Sequence, residues 1–193
     1  MSRGPYSTEQ MIALHAFFAE AAAAGEAALA DLSGSETGVD VLEVRAGVLE
    51  EFGERGMRVG EDLVAAVMGR LEGGLPGSAG LALEPEEALA WARIGGEGDP
   101  IENFVALGGA VLEGLAQAIS EVTRMRTLFQ DGRLAEQTEP CLLAATHAPS
   151  DTRVLSARMR IETRGEAFSA VAHLLAEPKQ IGRLLASLSA PVH

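Results

Sequence analysis

The chain has 193 residues, a formal net charge of -13 at pH 7 and a pI of about 4.7. An acidic chain repels phosphate backbones, so the charge argues against nucleic acid as a partner. Hydrophobic residues make up 47% of the chain, which is enough for a packed core and excludes the composition of a disordered protein.

Three further features bear on the compartment. No apolar run approaches the roughly 18 residues of a membrane span. The first ten residues lack the apolar region of a signal peptide. Cys141 is the only cysteine, so no internal disulfide can form. We therefore expect a cytoplasmic protein with no membrane partner.

The first half of the chain predicts a long helix, strands and a shorter helix. Ser7 with Gln10 three residues later has the pattern of a capping box, and the segment 33–38 (SGSETG) ends the helix. Proline suits a first helical turn, so Pro85 marks a second helix start. The predicted elements are a helix from Ser7 to about Leu32, a strand at Val39–Leu49, hairpin strands at Asp62–Glu72 and Ser78–Leu83, and a helix from Pro85 to about Gly95.

The second half predicts the same kinds of element. They are a helix from Pro100 to about Val122, strands near Arg124–Gln130, Cys141–His147, Val154–Glu162 and Glu166–Ala176, and a helix from Pro178 to about Leu188. This order predicts an α+β fold in which an antiparallel sheet packs against long helices.

The two halves also share short motifs in the same order. Gly25 and the residues after it match Gly108 and those that follow, and Glu84-Pro85 matches Glu177-Pro178. Two matches in one order indicate a duplicated unit. We therefore predict one domain, 1–193, of two pseudo-symmetric α-β-β-β-α repeats at about 7–95 and 99–190, joined by a glycine-rich linker at 95–99.

The order of these motifs resembles the CheC-like superfamily of chemotaxis proteins, which includes CheC, CheX and related flagellar-switch phosphatases. AAAAGEAALADLSG (21–34) and VALGGAVLEGLAQAI (105–119) look like the two long helices of that family. VMGRLEGGLPGSAGLALEPEEALAWA (67–92) looks like the hairpin and helix that follow. The resemblance implies binding to a phosphorylated receiver domain of the CheY type, whose aspartyl phosphate is removed with the help of a Glu-x-x-Asn pair on a long helix.

This pair is missing when the halves are aligned on their glycines. The acid falls at Phe18 and Ile101, and the amide falls at Ala21 and Phe104. Glu20 and Asn103 occupy matching places, but neither has its partner three residues away.

Adjacent residues cannot replace the pair. Glu102 and Asn103 follow one another, so their side chains point about 100° apart on a helix, whereas residues three apart share a face. Asp99 as N-cap, Pro100 as first helical residue and Glu102 at the third position instead predict a capping box at a helix start. The candidate catalytic residues are therefore Glu102, Asn103 and Glu20, and the helix faces around them are the candidate partner surface.

The histidines and the cysteine give no second site. His15, His147, His173 and His193 are too scattered for a metal motif, and core or surface positions are expected for them. Cys141 opens a predicted apolar strand and is expected to be buried. We predict no metal and no cofactor.

The leading functional hypothesis is a CheC-like signalling protein that binds a CheY-like receiver or another chemotaxis component without normal phosphatase activity. One alternative is an active aspartyl-phosphate phosphatase that uses Glu102, Asn103 or Glu20 in an altered geometry. Another is a structural module of a flagellar or receptor assembly, and a homodimer is possible.

Overall fold

The computed structural model describes residues 6–55, 63–144 and 146–189. In these ranges the chain forms a six-stranded antiparallel sheet with helices on both faces. The helices are α1 (Thr8–Ser33), α2 (Leu49–Arg55), α3 (Pro85–Gly95), α4 (Pro100–Thr123), α5 (Glu139–Ala144) and α6 (Pro178–Leu188). The strands are β1 (Thr37–Val48), β2 (Val64–Gly73), β3 (Gly77–Leu83), β4 (Thr127–Gln137), β5 (Arg153–Thr163) and β6 (Glu166–Ala176).

The predicted α+β class is confirmed, and several element ends agree with their local sequence signals. The capping box at the start of α1 is formed: the Gln10 amide N–H donates to Ser7 Oγ (3.2 Å), and the Ser7 amide N–H donates to Gln10 Oε1 (2.8 Å). Helix α3 begins at Pro85, as predicted, and β6 has the predicted limits. Asp62, the predicted start of the first hairpin strand, lies outside the described residues.

Two short helices correct the sequence interpretation. The predicted strand at Cys141–His147 is wrong, because α5 occupies its first part. The helical turn brings both Leu142 and Leu143 to buried positions and leaves Cys141 exposed, whereas a strand would place Cys141 and Leu143 on one face. Helix α2, after β1, was not predicted. The strand expected near residues 124–130 begins at Thr127 and continues to Gln137.

The strand order is β1-β5-β6-β3-β2-β4. Each half of the chain has the element order α-β-α-β-β-α, which adds one short helix to the predicted α-β-β-β-α unit. The strands β1, β2 and β3 of the first half correspond to β4, β5 and β6 of the second half. If each strand is exchanged with its counterpart, the same order is obtained when the sheet is read from its other edge. This arrangement has the pseudo-twofold relation that a duplicated unit would produce.

The ends of the long helices give a residue correspondence that differs from the glycine alignment. Helices α1 and α4 end on Gly34 and Arg124, both in the left-handed region (φ 61° and 55°). Thr37 and Thr127 then each donate a hydroxyl hydrogen bond to the carbonyl two residues earlier, at 3.4 and 3.3 Å. The alignment on Gly25 and Gly108 would instead match Gly34 with Gln117. The structure therefore favours a different register between the two long helices.

The main core lies between the sheet and the pair α1 and α4. These helices are antiparallel, because Gly25 lies beside Val111 whereas Gly114 lies beside Ala21. By length and mean hydropathy (1.3 in each) both helices could cross a bilayer, but here they pack on each other and on the sheet. Helices α2 and α5 cover part of the opposite face, which we call the outer face.

Candidate functional site

The start of α4 holds two of the candidate residues. Asp99 is the N-cap, and its carboxylate accepts a hydrogen bond from the Ile101 amide N–H (2.9 Å). Glu102 is exposed, and within the described residues its side chain makes no hydrogen bond back to Asp99. The N-cap is therefore confirmed, but the predicted capping box is incomplete. The Glu102 carboxylate instead adds negative charge to the first turn, where the helix dipole favours it.

The side chain of Asn103 is used in packing. Its Nδ2 donates a hydrogen bond to the carbonyl oxygen of Ala92 in α3, at 3.3 Å. A Cβ built at Gly96 would lie 3.2 Å from Asn103 Oδ1, so the amide is also held closely by the α3–α4 connection. Asn103 thus ties the start of α4 to the end of α3, and one of its two amide N–H groups already has a partner.

Glu20 lies far from the other two candidates. It is exposed on α1, next to Ala21, whose carbonyl oxygen lies beside Gly114. Asn103 precedes Gly114 on α4 by about 16 Å along the helix axis, at 1.5 Å rise per residue. The three candidate residues therefore do not converge on one point, and in the part of the chain that the structure describes the Asn103 amide makes no hydrogen bond to a carboxylate.

The positions to which the glycine alignment assigns the acid and the amide, in a register that the helix ends do not support, all carry apolar side chains. Phe18, Ala21 and Phe104 are at most 3% exposed. Phe104 packs edge-on against Trp91, with ring centroids 6.1 Å apart. Ile101 is the exception, with 56% of its surface exposed. Three of the four positions therefore build the core, and none offers a polar group to a phosphoryl ligand.

An apolar surface surrounds Ile101. Ile101 and Leu89, which is 42% exposed, line a shallow groove of about 70 Å³ together with Phe104, and Glu136 lies at the same groove. We call this surface the α3–α4 groove. Sequence reasoning placed a partner surface around Glu102, but it did not identify Leu89, because the contact depends on the packing of α3 beside α4.

The remaining titratable candidates are dispersed. His15 and His147 are exposed, and His193 lies outside the described residues. His173 is buried in β6, where its Nδ1 lies 2.7 Å from Ser156 Oγ. In the described part of the chain, no group of three or more His, Cys, Asp or Glu side chains could hold a metal ion. Cys141 is exposed, which corrects the expectation that it is buried.

Among the described residues, the carboxyl group of Glu87 has a perturbed pKa. Partial burial raises the pKa of Glu87 above its ordinary value, and the carboxylate of Glu84 acts in the same direction. The hydrogen bond from the Ser169 amide N–H to Glu87 Oε2 (3.2 Å) opposes this shift. The bond joins α3 to β6, so Glu87 serves packing in this structure.

Solved structures share this fold at low sequence identity. Thermotoga maritima FliY matches with a TM-score of 0.74 and 11% identity, over 96% of this chain and 98% of that chain. The FliM middle domain from H. pylori matches with a TM-score of 0.67 and 12% identity, over 94% and 99%. A chain of the H. pylori FliG–FliM complex matches with a TM-score of 0.59 and 12% identity, over 94% and 100%.

No protein-family model matches the chain, and no curated protein matches its sequence. The chain has the fold of FliY and the FliM middle domain, and the resemblance to the CheC-like superfamily is confirmed as one of fold.

Proposed function

We propose that this chain is a chemotaxis or flagellar-switch signalling protein that binds a partner protein without hydrolysing aspartyl phosphate. The fold shared with FliY and FliM supports the class of function. The observation that carries the second part is the side chain of Asn103, which donates to the Ala92 carbonyl and, within the described residues, makes no hydrogen bond to a carboxylate.

Phosphoryl hydrolysis depends on placing a water in line with the phosphorus and on stabilising the charge that develops. An amide and an acid three residues apart on one helix face could do both. Here Glu102 and Asn103 diverge, and Glu20 lies on another helix, so no pair of these groups can act on one phosphoryl group. The alternative of an active phosphatase using these residues has no geometric support.

The α3–α4 groove is the surface that we assign to the partner. An exposed isoleucine and an exposed leucine lie together there, beside the carboxylate of Glu136. An apolar contact with an acidic rim favours a partner that presents an apolar side chain flanked by lysine or arginine. A CheY-like receiver, whose active site carries a lysine, is the first candidate.

A structural role in a flagellar assembly is the second candidate. It is favoured by the match to a chain of the FliG–FliM complex, in which a protein of this fold is part of an assembly. Both candidates place the protein in the cytoplasm, without a membrane or nucleic-acid partner, and both permit a homodimer.

Binding is tested with Ile101→Ser and with Leu42→Ser as the matched control. Leu42 has a similar exposure, 57%, but lies on β1 at the sheet edge. Partners are the phosphorylated receivers of the source organism and its flagellar-switch proteins, measured by calorimetry. We expect Ile101→Ser to weaken binding at least tenfold and Leu42→Ser to leave it unchanged. Equal effects of both variants would overturn the proposed surface. A lack of binding to any of these proteins would overturn the proposed partner class.

Catalysis is tested separately. If the chain were an active phosphatase through Asn103, it would shorten the lifetime of the receiver phosphate, and Asn103→Ala would abolish the effect. We expect no acceleration from either form.

A further inference from the structure

The outer face of the sheet carries an open cleft that the proposed function does not use. It has a volume of about 530 Å³ and lies between strands β2 to β4 and the chain at and after α5. Its lining includes Arg70, Arg133, His147 and Ser78, with Met68 and Leu142 as apolar components. This volume is within the usual range of small-molecule sites. Most of the lining residues are polar, and Met68 and Leu142 form an apolar part of the wall.

A β-bulge shapes this cleft. The pairing of β2 with β4 shifts between Met68 and Arg70, so that Asp131 is an extra residue in a left-handed conformation (φ 57°). A Cβ at Gly69 would lie 2.5 Å from the ring of Phe129, so the close approach of the strands here requires glycine. Bulges of this kind change the direction of neighbouring side chains, and they are frequent beside functional sites.

The charge of the cleft is opposite to that of the chain. Arg70 donates from Nε to the Asp131 carboxylate (3.2 Å), so the single acid of the lining is neutralised. Arg133 makes no ion pair within the described ranges and is exposed in the cleft. A chain of net charge -13 thus presents an uncompensated guanidinium, with His147 in the same lining.

The arginines at the other end of the outer face show the contrast. Arg45 pairs with Glu43 (2.7 Å), Arg158 approaches the same carboxylate (3.9 Å), and Arg160 pairs with Glu162 (3.3 Å). Each of those arginines has a carboxylate within 3.9 Å, although Arg45 and Arg158 share that of Glu43. Arg133 differs from them in having no carboxylate partner within the described ranges.

We propose that the cleft binds a small organic anion, with a carboxylate, phosphate or sulfonate group on Arg133 and an apolar body against Met68 and Leu142. Guanidinium groups bind such anions through paired N–H donors, and the apolar wall favours a ligand with a hydrocarbon or aromatic part. The site lies on the sheet face opposite α1 and α4, whereas the α3–α4 groove lies on the other side of β4.

The test uses 8-anilinonaphthalene-1-sulfonate as probe and the uncharged N-phenyl-1-naphthylamine as its matched analogue, both followed by fluorescence with the full chain. We expect one anionic probe per chain, weaker binding of the neutral analogue, and displacement of the probe by octanoate. Arg133→Ala should weaken probe binding about tenfold, the effect of one charge-assisted contact. Arg183→Ala removes another exposed arginine, on α6, and should change it less than twofold.

Equal affinity for the charged and neutral probes would overturn the proposal, as would equal effects of the two arginine variants. Displacement by inorganic phosphate but not by octanoate would refute the apolar part of the ligand. Circular dichroism of Arg133→Ala checks that its fold is intact, and Met68→Glu, which places a carboxylate in the cleft wall, should weaken probe binding through charge repulsion. An unchanged affinity of a folded Met68→Glu variant would also contradict the site.

Discussion

The contact between α1 and α4 predicts that Gly114→Ala destabilises the protein, although alanine is the better helix former. A Cβ at Gly114 would collide with the backbone nitrogen of Gly25, and it would lie 2.6 Å from the Ala21 carbonyl oxygen. Since these are backbone atoms, no side-chain rotation relieves the clash, and the two helices must separate.

Gly109 is the matched control on the same helix. A Cβ at Gly109 would meet no atom within 4 Å. Gly109→Ala should therefore show the helix-propensity gain alone, about 1 kcal/mol of added stability. Gly114→Ala has the same gain but an overpacking cost of about 3 kcal/mol, the upper part of the usual range, which leaves a net loss of about 2 kcal/mol.

Thermal unfolding of both variants measures the difference. For a chain of this size, 1 kcal/mol corresponds to about 2–4 °C in Tm. Gly114→Ala should therefore lower Tm by about 4–8 °C, and Gly109→Ala should raise it by about 2–4 °C. Equal stability of the two variants would refute the close approach of α1 to α4 at Gly114.

Three further predictions concern single side chains. Cys141 is exposed on α5, so Ellman's reagent should label it in the native protein without denaturant; a thiol that reacts only after unfolding would contradict this exposure. Asn103→Ala removes the hydrogen bond to Ala92 and should cost about 1 kcal/mol in urea unfolding, whereas no loss would contradict that bond. The raised pKa of Glu87 means that its contribution to stability is greatest below the unfolded pKa and declines as pH rises through the folded pKa. The Glu87→Gln variant should therefore have a larger free energy of unfolding than the natural chain at pH 7 but not at pH 3. An equal gain at both pH values would show that the ionisation of Glu87 is not the cause.

Local signals predicted the elements whose ends they mark. The capping pair Ser7 and Gln10 predicted the start of α1, and Pro85 and Pro178 predicted the starts of α3 and α6. These signals are local, because each residue acts on the backbone of the helix turn in which it lies. The short helix α5 was missed, because a run of a few apolar residues does not distinguish a helix from a strand. Helix α2 has seven residues (LEEFGER), which are too few to show a helical period of apolar positions. Their type depends on which sheet residues they cover.

The glycine alignment of the two halves misled for a physical reason. Gly25 lies where α1 meets α4, and a Cβ there would make a tight contact of 3.2 Å with the Val111 Cα. Gly108 is required beside β2, since its Cβ would lie 2.6 Å from the Val67 side chain. The two glycines lie at close contacts with different elements, Gly25 with α4 and Gly108 with β2, so their match in sequence does not make them structurally equivalent.

The candidate site was predicted in part. Helix geometry alone showed that Glu102 and Asn103 diverge, because adjacency in a helix fixes the angle between side chains. The bond from Asn103 to the Ala92 carbonyl and the exposure of Leu89 beside Ile101 depend on how α3 packs on α4. No local pattern carries that information.

The most direct test of the proposed function measures receiver binding and phosphate lifetime in one sample. The chain is mixed at stoichiometric concentration with a phosphorylated CheY-like receiver, complex formation is followed by fluorescence anisotropy, and phosphate release is followed over time. We predict that the complex forms and that the lifetime of the aspartyl phosphate does not shorten. A shortened lifetime with multiple turnovers, at substoichiometric amounts of this chain, would contradict the claim that it binds without catalysis.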